Sequence, residues 1–235
     1  MMAITHAAIA AAGVSLLWSS ADPVLLSLAV LGSQLPDLDT TTSIIGQIFF
    51  PISSWLEDRF PHRSITHSLL CTGAIAVVCT GVAMRTGLWM LEALPVGHLL
   101  SCFSDCFTRQ GVQLFWPSPA WAISVSNPNR RLTTGGTGEY WVLAIAASLL
   151  MLSIQLSSTG GVATSVGQNL GLRDTAIATY QASADRESWA QVTGYWLSDR
   201  SAIDNAFLVL SQDGSEFIVT DGAAVFHTGE SMYVE

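Results

Sequence analysis

Residues 1–156 hold six Arg, eight Asp or Glu and no Lys, and most of these few charges fall between long apolar runs. A bilayer imposes that pattern, because only helices that satisfy their own backbone can cross it. The runs are Ala3–Trp18, Pro23–Leu35, Thr66–Met84, Leu88–Phe107 and Tyr140–Leu156. A crossing needs about 20 residues, so Thr66–Met84 and Leu88–Phe107 qualify and Tyr140–Leu156 nearly does. The first two runs are short and, joined by a turn at Ser19–Pro23, predict a tilted hairpin. Residues 43–58 (SIIGQIFFPISSWLED) mix apolar and polar side chains around Pro51, which suits an interfacial or re-entrant helix. The N-terminus lacks a basic region and a small-residue cleavage site, so residues 3–18 read as a retained helix.

Composition separates a membrane part from a water-facing tail. Half of the 235 residues are hydrophobic, 11% are charged and mean hydropathy is +0.44. The net charge of −9 argues against a nucleic-acid partner, and it is unevenly spread. Residues 1–156 contribute 6 − 8 = −2, whereas residues 157–235 contribute 3 − 10 = −7. The sequence thus predicts a mainly α, multi-span transmembrane domain over 1–156, a small-residue linker over 157–168 (SSTGGVATSVGQ), and a small domain over 169–235. In that last part the period changes. TAIATYQA, SWAQVTGYWL, AFLVLS, SEFIVT and AAVFHT read as short strands, with Asp-Gly hairpin signals at 213–214 and 221–222. A five- or six-stranded antiparallel barrel or sheet is expected. The four cysteines, Cys71, Cys79, Cys102 and Cys106, lie in apolar stretches without a CxxC pair and read as buried small hydrophobes.

Orientation follows from arginine. Arg59 and Arg63 lie between the second and third runs, and Arg109, Arg130 and Arg131 between the fourth and fifth, so that side is cytoplasmic. Five crossings then place the tail outside. The same side gathers most of the chain's metal-ligating and proton-transferring groups: His6, Asp37 and Asp39 in GSQLPDLDT, His62 and His67 in HRSITHSLL, and Asp105 at the end of the fourth run. His98 in GHLLSCFSD lies two turns before Asp105, on the same helix face. Ionisable groups at membrane depth are costly unless they pair, line a cavity or hold a metal. Imidazole with carboxylate suits a divalent ion, zinc or manganese first. Asp37, His67, His98 and Asp105, with His6 at the edge, are the expected ligands. Asp39, the second Asp of a short pair, is the expected base, with His62 and Arg63 steering or polarising the substrate. His62 and His67 are five apart, about 140° around a helix, so both reach one site only where the chain between them is not fully helical. His227 is remote, and Glu92 reads as a surface residue on the far side.

The loop 108–136 places Phe115, Trp116 and Trp121 around two prolines, as headgroup-level anchors or as a lid over a lipid-like substrate. Its glycines at 135–136 make no phosphate loop, since no GK[ST] follows. The order H…GSQLPDLD…HRSITHSLL…GHLLSCFSDCFTRQGVQLFWP resembles the YdjM family, whose members are described as LexA-binding, membrane-bound, metal-dependent hydrolases. The resemblance covers roughly residues 1–155 and implies a multi-span helical fold with a metal-dependent hydrolase site. The matching positions are His6, Asp37, Asp39, His62, Arg63, Thr66, His67, His98, Asp105, Thr108 and Gly111, with Ser64 standing where the family often has glycine. Two function classes follow. One is an inner-membrane metallohydrolase acting on a phosphoester or lipid-like molecule. The other is a non-catalytic scaffold with a structural metal, contacted by a regulatory protein.

Overall fold

The structure, a computed structural model, describes residues 1–158, 172–182 and 186–234. It divides into two compact units, Met1–Ser158 and Thr159–Glu235. Most of the expected linker, from residue 159 on, lies outside the described residues.

The first unit is helical. Helix α1 runs Ala3–Trp18 and ends where Ser19 turns left-handed at φ 47°. Helix α2, Pro23–Gln34, starts on a strong signal: the Asp22 carboxylate accepts from the amides of Val24 and Leu25, and Pro23 fills the first turn. Its end tightens into a 3₁₀ turn, Leu35–Asp39, around Pro36. Two short helices follow, α3 (Ile44–Ile48) and α4 (Phe50–Glu57). They leave Ile44, Ile48, Phe50, Ile52 and Trp55 exposed, with the Arg59 guanidinium 4.7 Å over the Trp55 ring. Helix α5, Leu69–Thr86, is capped by Ser68 and stopped by Gly87. Helix α6 spans Ala93–Asp105 and helix α7 spans Thr137–Ser158.

Among the described residues two helices are long and apolar enough to cross a membrane, Leu69–Thr86 and Thr137–Ser157. The expected fourth span does not form as one helix. Gly87 breaks the chain, Trp89–Glu92 makes a 3₁₀ turn, and the remaining 13 residues of α6 rise only about 20 Å. Much of α6 is buried instead, against α1 and α2. The fold is therefore helical, as the composition predicts, but five crossings do not follow from it.

Small residues let these helices meet closely. A Cβ on Gly32 of α2 would lie 2.1 Å from the Leu94 carbonyl oxygen, and one on Gly97 of α6 would lie 2.1 Å from that of Ala29. The two backbones thus touch through reciprocal glycines, the device that packs helices in lipid. Ala10, Val14, Leu25, Ala29 and Ala93 form the core around this contact. Helix α7 joins α1 through a buried Ser15–Ser153 hydroxyl pair at 2.7 Å.

The second unit is an antiparallel sheet of β1 (Ser188–Trp196), β2 (Ala202–Asp213), β3 (Glu216–Thr220), β4 (Val225–His227) and β5 (Met232–Val234), ordered β4-β3-β2-β1-β5. Its core is Val192, Ile203, Phe207, Val219 and Met232. Both Asp-Gly signals sit in turns, with Gly214 and Gly222 at positive φ. The expected strand at 175–182 is instead helix α8, Arg173–Ala182. Its Ala-rich run favours helix, and Tyr180 stacks edge-on to Phe217 while Gln181 bonds Gln212. The cysteines are free, three of them buried and Cys71 half-buried.

Candidate functional site

The Arg63–His67 turn decides the geometry. Arg63 adopts φ 66°, a left-handed conformation that costs a non-glycine residue about 1–2 kcal/mol. It is held there from three sides. Its amide donates to Asp39 Oδ2 at 2.8 Å, its carbonyl accepts from Gln113, and its Nη1 donates to Thr108 Oγ1 at 2.8 Å. Only three residues of 3₁₀ helix follow, Ile65–His67, before α5 begins. The stretch from His62 to His67 is therefore not a regular helix, and the two rings come within 5.8 Å of each other.

The result is a chain of alternating imidazoles and carboxylates. His62 Nδ1 bonds Asp39 Oδ1 at 2.9 Å. His67 Nδ1 lies 3.7 Å from Asp39 Oδ2, and its Nε2 lies 3.4 Å from Asp105 Oδ2. Asp105 Oδ1 then faces His6 Nε2 at 3.5 Å and the Met1 amine at 2.9 Å. His6 closes the series through Nδ1, which meets Ser101 and Ser104 hydroxyls at 3.0 and 3.1 Å. All of it is buried except His62, whose side chain is 42% exposed. Five elements contribute: the start of α1, the turn after α2, the turn before α5, the end of α6 and the loop after it.

Two expected members stand apart. His98 is buried on α6, with Nδ1 bonded to Thr72 Oγ1 at 2.8 Å and Nε2 left without a partner. Asp37 is half-buried, and no hydrogen bond or ion pair joins its carboxylate to the chain of groups among the described residues. Arg63 turns inward, its Nη2 3.6 Å from Asp105, and does not reach out towards solvent. Sequence reasoning passed over Ser101, Ser104 and Thr72. The i, i+3, i+4 spacing of Ser101, Ser104 and Asp105 was the available signal.

Burial pushes the Asp39 carboxyl up, but the His62 hydrogen bond, the His67 and His62 rings and the Arg63 amide outweigh it, and the net shift is downward. Asp105 is likewise driven well below the usual carboxylate range: burial opposes the shift, and the close His6 and His67 rings with the Met1 amine outweigh it.

The donor set suits a divalent ion in kind. The His–Asp separations of 3.4–3.7 Å exceed hydrogen bonds. They approach the ~3.4 Å between two donors that share a tetrahedral ion at about 2.1 Å. Asp105 Oδ2 and His98 Nε2 are buried polar atoms without a hydrogen-bond partner. The donors meet in pairs, however, and among the described residues no three His, Cys, Asp or Glu side chains are placed to hold one ion.

Residues 1–162 match the family described as YdjM inner membrane protein. The chain belongs to the YdjM family. The match takes in every element of the site and leaves the β unit outside. The inner membrane protein YdjM of Escherichia coli (strain K12) is 34% identical over 94 residues, 38% of this chain and 47% of that protein. The uncharacterized protein YvsG of Bacillus subtilis (strain 168) is 31% identical over 124 residues, 52% of this chain and 74% of its own length. The chain thus spans about half the length of the YdjM relative. No solved structure matches. The YdjM assignment makes the chain a membrane protein, in agreement with its two long apolar helices.

Proposed function

We propose that the His62–Asp39–His67–Asp105–His6 chain is a metal-dependent hydrolytic site at the cytoplasmic membrane face, acting on a phosphoester or lipid-like molecule. The observation that carries it is His67, a buried imidazole set between two buried carboxylates at 3.4 and 3.7 Å. Burying two carboxylates is expensive, and only Asp105 has fixed cations beside it, the Met1 amine and Arg63, so a structure that keeps both there has a use for their charge. Asp105, paired with His67 on one side and His6 on the other, would anchor a zinc or manganese ion, and a third donor, with Asp37 and His98 the further candidates, would join only after a side-chain movement. Such an ion supplies a water activated at neutral pH.

The remaining groups divide the work. Asp39 has its oxygens filled by Thr40, His62, Arg63 and Thr66. That arrangement favours Asp39 as the group that orients His62 and His67, over its expected role as the base. His62, exposed and fixed through Nδ1, keeps Nε2 for the proton, the geometry of an Asp–His pair in general-base catalysis. Arg63 ties the turn to Asp105 and Thr108.

Orientation enters the same proposal. The site lies at the end of the helical unit that carries Arg59, Arg63, Arg109, Arg130 and Arg131, which makes that end cytoplasmic. The exposed apolar side chains of α3 and α4 lie in the bilayer surface. The tail, beyond the far end of α7, is extracytoplasmic.

The test is metal content and turnover of a chromogenic phosphodiester by the detergent-purified chain. His67→Ala should lose both. Asp39→Asn and His62→Gln should keep the metal and lose about 10²–10⁴-fold in rate. Wild-type protein that binds no divalent ion and turns over no ester, phosphoester or amide would leave the regulator-contacting scaffold as the reading.

A further inference from the structure

Beside the site lies an open cavity of about 400 Å³, within the ~300–1,000 Å³ range of small-ligand sites. Its walls are apolar: Ile9 of α1, Leu100 and Phe103 of α6, Val125 of the loop and Val142 of α7. One charged side chain lines it, Arg130, which is exposed and has no hydrogen-bond or ion-pair partner for its guanidinium among the described residues. Its neighbour Arg131 is by contrast committed to the carbonyls of Val125 and Ser126.

Two further lining residues connect the cavity to the site. Ser104 bonds His6 Nδ1 at 3.1 Å, and the Met1 amine bonds Asp105 Oδ1 at 2.9 Å. On its other flank the cavity is walled by the last helix of the unit. Val142 belongs to Thr137–Ser157, a helix fit to cross the bilayer, and its neighbours Tyr140, Trp141 and Ile145 are exposed. A cavity that is apolar inside, walled on one flank by a helix fit to cross the bilayer and marked by one unpaired cation selects an amphiphile. A soluble anion would gain nothing from the aliphatic and aromatic walls. A neutral lipid would leave Arg130 unused.

We infer that this groove binds an anionic membrane lipid, its acyl chain against Leu100, Phe103 and Val142 and its phosphate at Arg130. That the bound lipid is also what the His/Asp chain acts on rests on the hydrolytic reading; the binding itself does not. The headgroup then stands beside Ser104 and Met1, one residue away from the carboxylate chain, and the scissile bond is one near the phosphate.

The experiment uses the full chain, delipidated in detergent and offered equal amounts of dioleoyl phosphatidylglycerol and dioleoyl phosphatidylcholine, with retained lipid read by native mass spectrometry. Wild type should keep phosphatidylglycerol in at least about fivefold preference, the value of one basic residue near an anionic headgroup. Arg130→Gln should bring the ratio close to one. Leu100→Trp, which fills the groove, should cut retained phosphatidylglycerol at least about tenfold, with the helical circular-dichroism signal unchanged. Val142→Trp fills it from the opposite wall and decides the matter should Leu100→Trp not fold. Equal retention of both lipids by wild type, an undiminished preference in Arg130→Gln, or full retention by the folded tryptophan variants would each overturn the proposal. Metal content measured on the same samples separates the two readings. Lipid preference without bound metal counts against the hydrolytic site alone, and bound metal without lipid preference counts against the groove alone.

Discussion

Replacing Gly97 by alanine adds one methyl group to α6, and the structure says where it goes. An ideal Cβ there lies 2.1 Å from the Ala29 carbonyl oxygen and 2.9 Å from its carbon. Carbon–oxygen contacts between helices settle at about 3.3–3.6 Å, so α2 and α6 must part by more than about 1 Å. Overpacking of this kind costs about 1–3 kcal/mol, and contact with rigid backbone places this site near the upper end. The gain in helix propensity returns up to about 1 kcal/mol. A net loss of about 2 kcal/mol corresponds to a Tm lower by about 4–8 °C for a unit of this size. Thermal unfolding in detergent measures it. Gly32→Ala should behave alike, since its Cβ meets the Leu94 oxygen at the same 2.1 Å. Adding Ala29→Gly should not rescue Gly97→Ala, because the clashing atom is main chain. Gly73→Ala and Gly81→Ala, on α5 with nothing within 4 Å, are the controls and should raise Tm slightly. A Gly97→Ala protein at least as stable as wild type would refute the close-contact argument.

Acid should weaken the site in a defined window. The folded Asp39 carboxyl lies below its ordinary value, so its contribution is present above about pH 4 and is lost as pH falls through the lowered folded value. The Tm advantage of wild type over Asp39→Asn should shrink as pH falls below about 4, as read by unfolding scans; an advantage independent of pH would contradict the linkage. For orientation, Ser215→Cys on the exposed turn between β2 and β3 should react with a membrane-impermeant maleimide on intact cells. Labelling only after the membrane is broken would put the tail inside.

The helical unit was legible wherever one signal dominated. The turn at Ser19–Pro23 marks the start of α2, whereas the third run, from Thr66, starts three residues early, because Ser68 caps α5. The fourth run misled because hydropathy counts residues and not turns, and Gly87 with the 3₁₀ turn at Trp89–Glu92 spends the length a span requires. At 175–182 alternation suggested a strand, yet alternating small and large residues also fit a short helix laid on a sheet. Three-residue β5 was too short to signal itself. In the site, counting the runs places His6, Asp37, Asp39, His62, His67, His98 and Asp105 together, and the structure joins five of them while leaving Asp37 and His98 apart. Counting could not see that Arg63 takes a left-handed turn, nor that Thr72 and not Asp105 partners His98. Those depend on neighbours from distant elements, which a single chain of letters does not order.

Glu139 is fully buried at the start of α7, and its carboxylate accepts from the amides of Met2 and Gly135. The last helix of the unit thus holds the strand of chain that leads into α1, next to His6 and Asp105. During synthesis the histidines and aspartates are all in place by residue 105, yet the clasp that fixes α1 emerges more than thirty residues later. An insertion intermediate made of α1 to α6 would carry its polar groups unclosed, and a chain halted before residue 137 should be a target for membrane quality control while containing every proposed ligand.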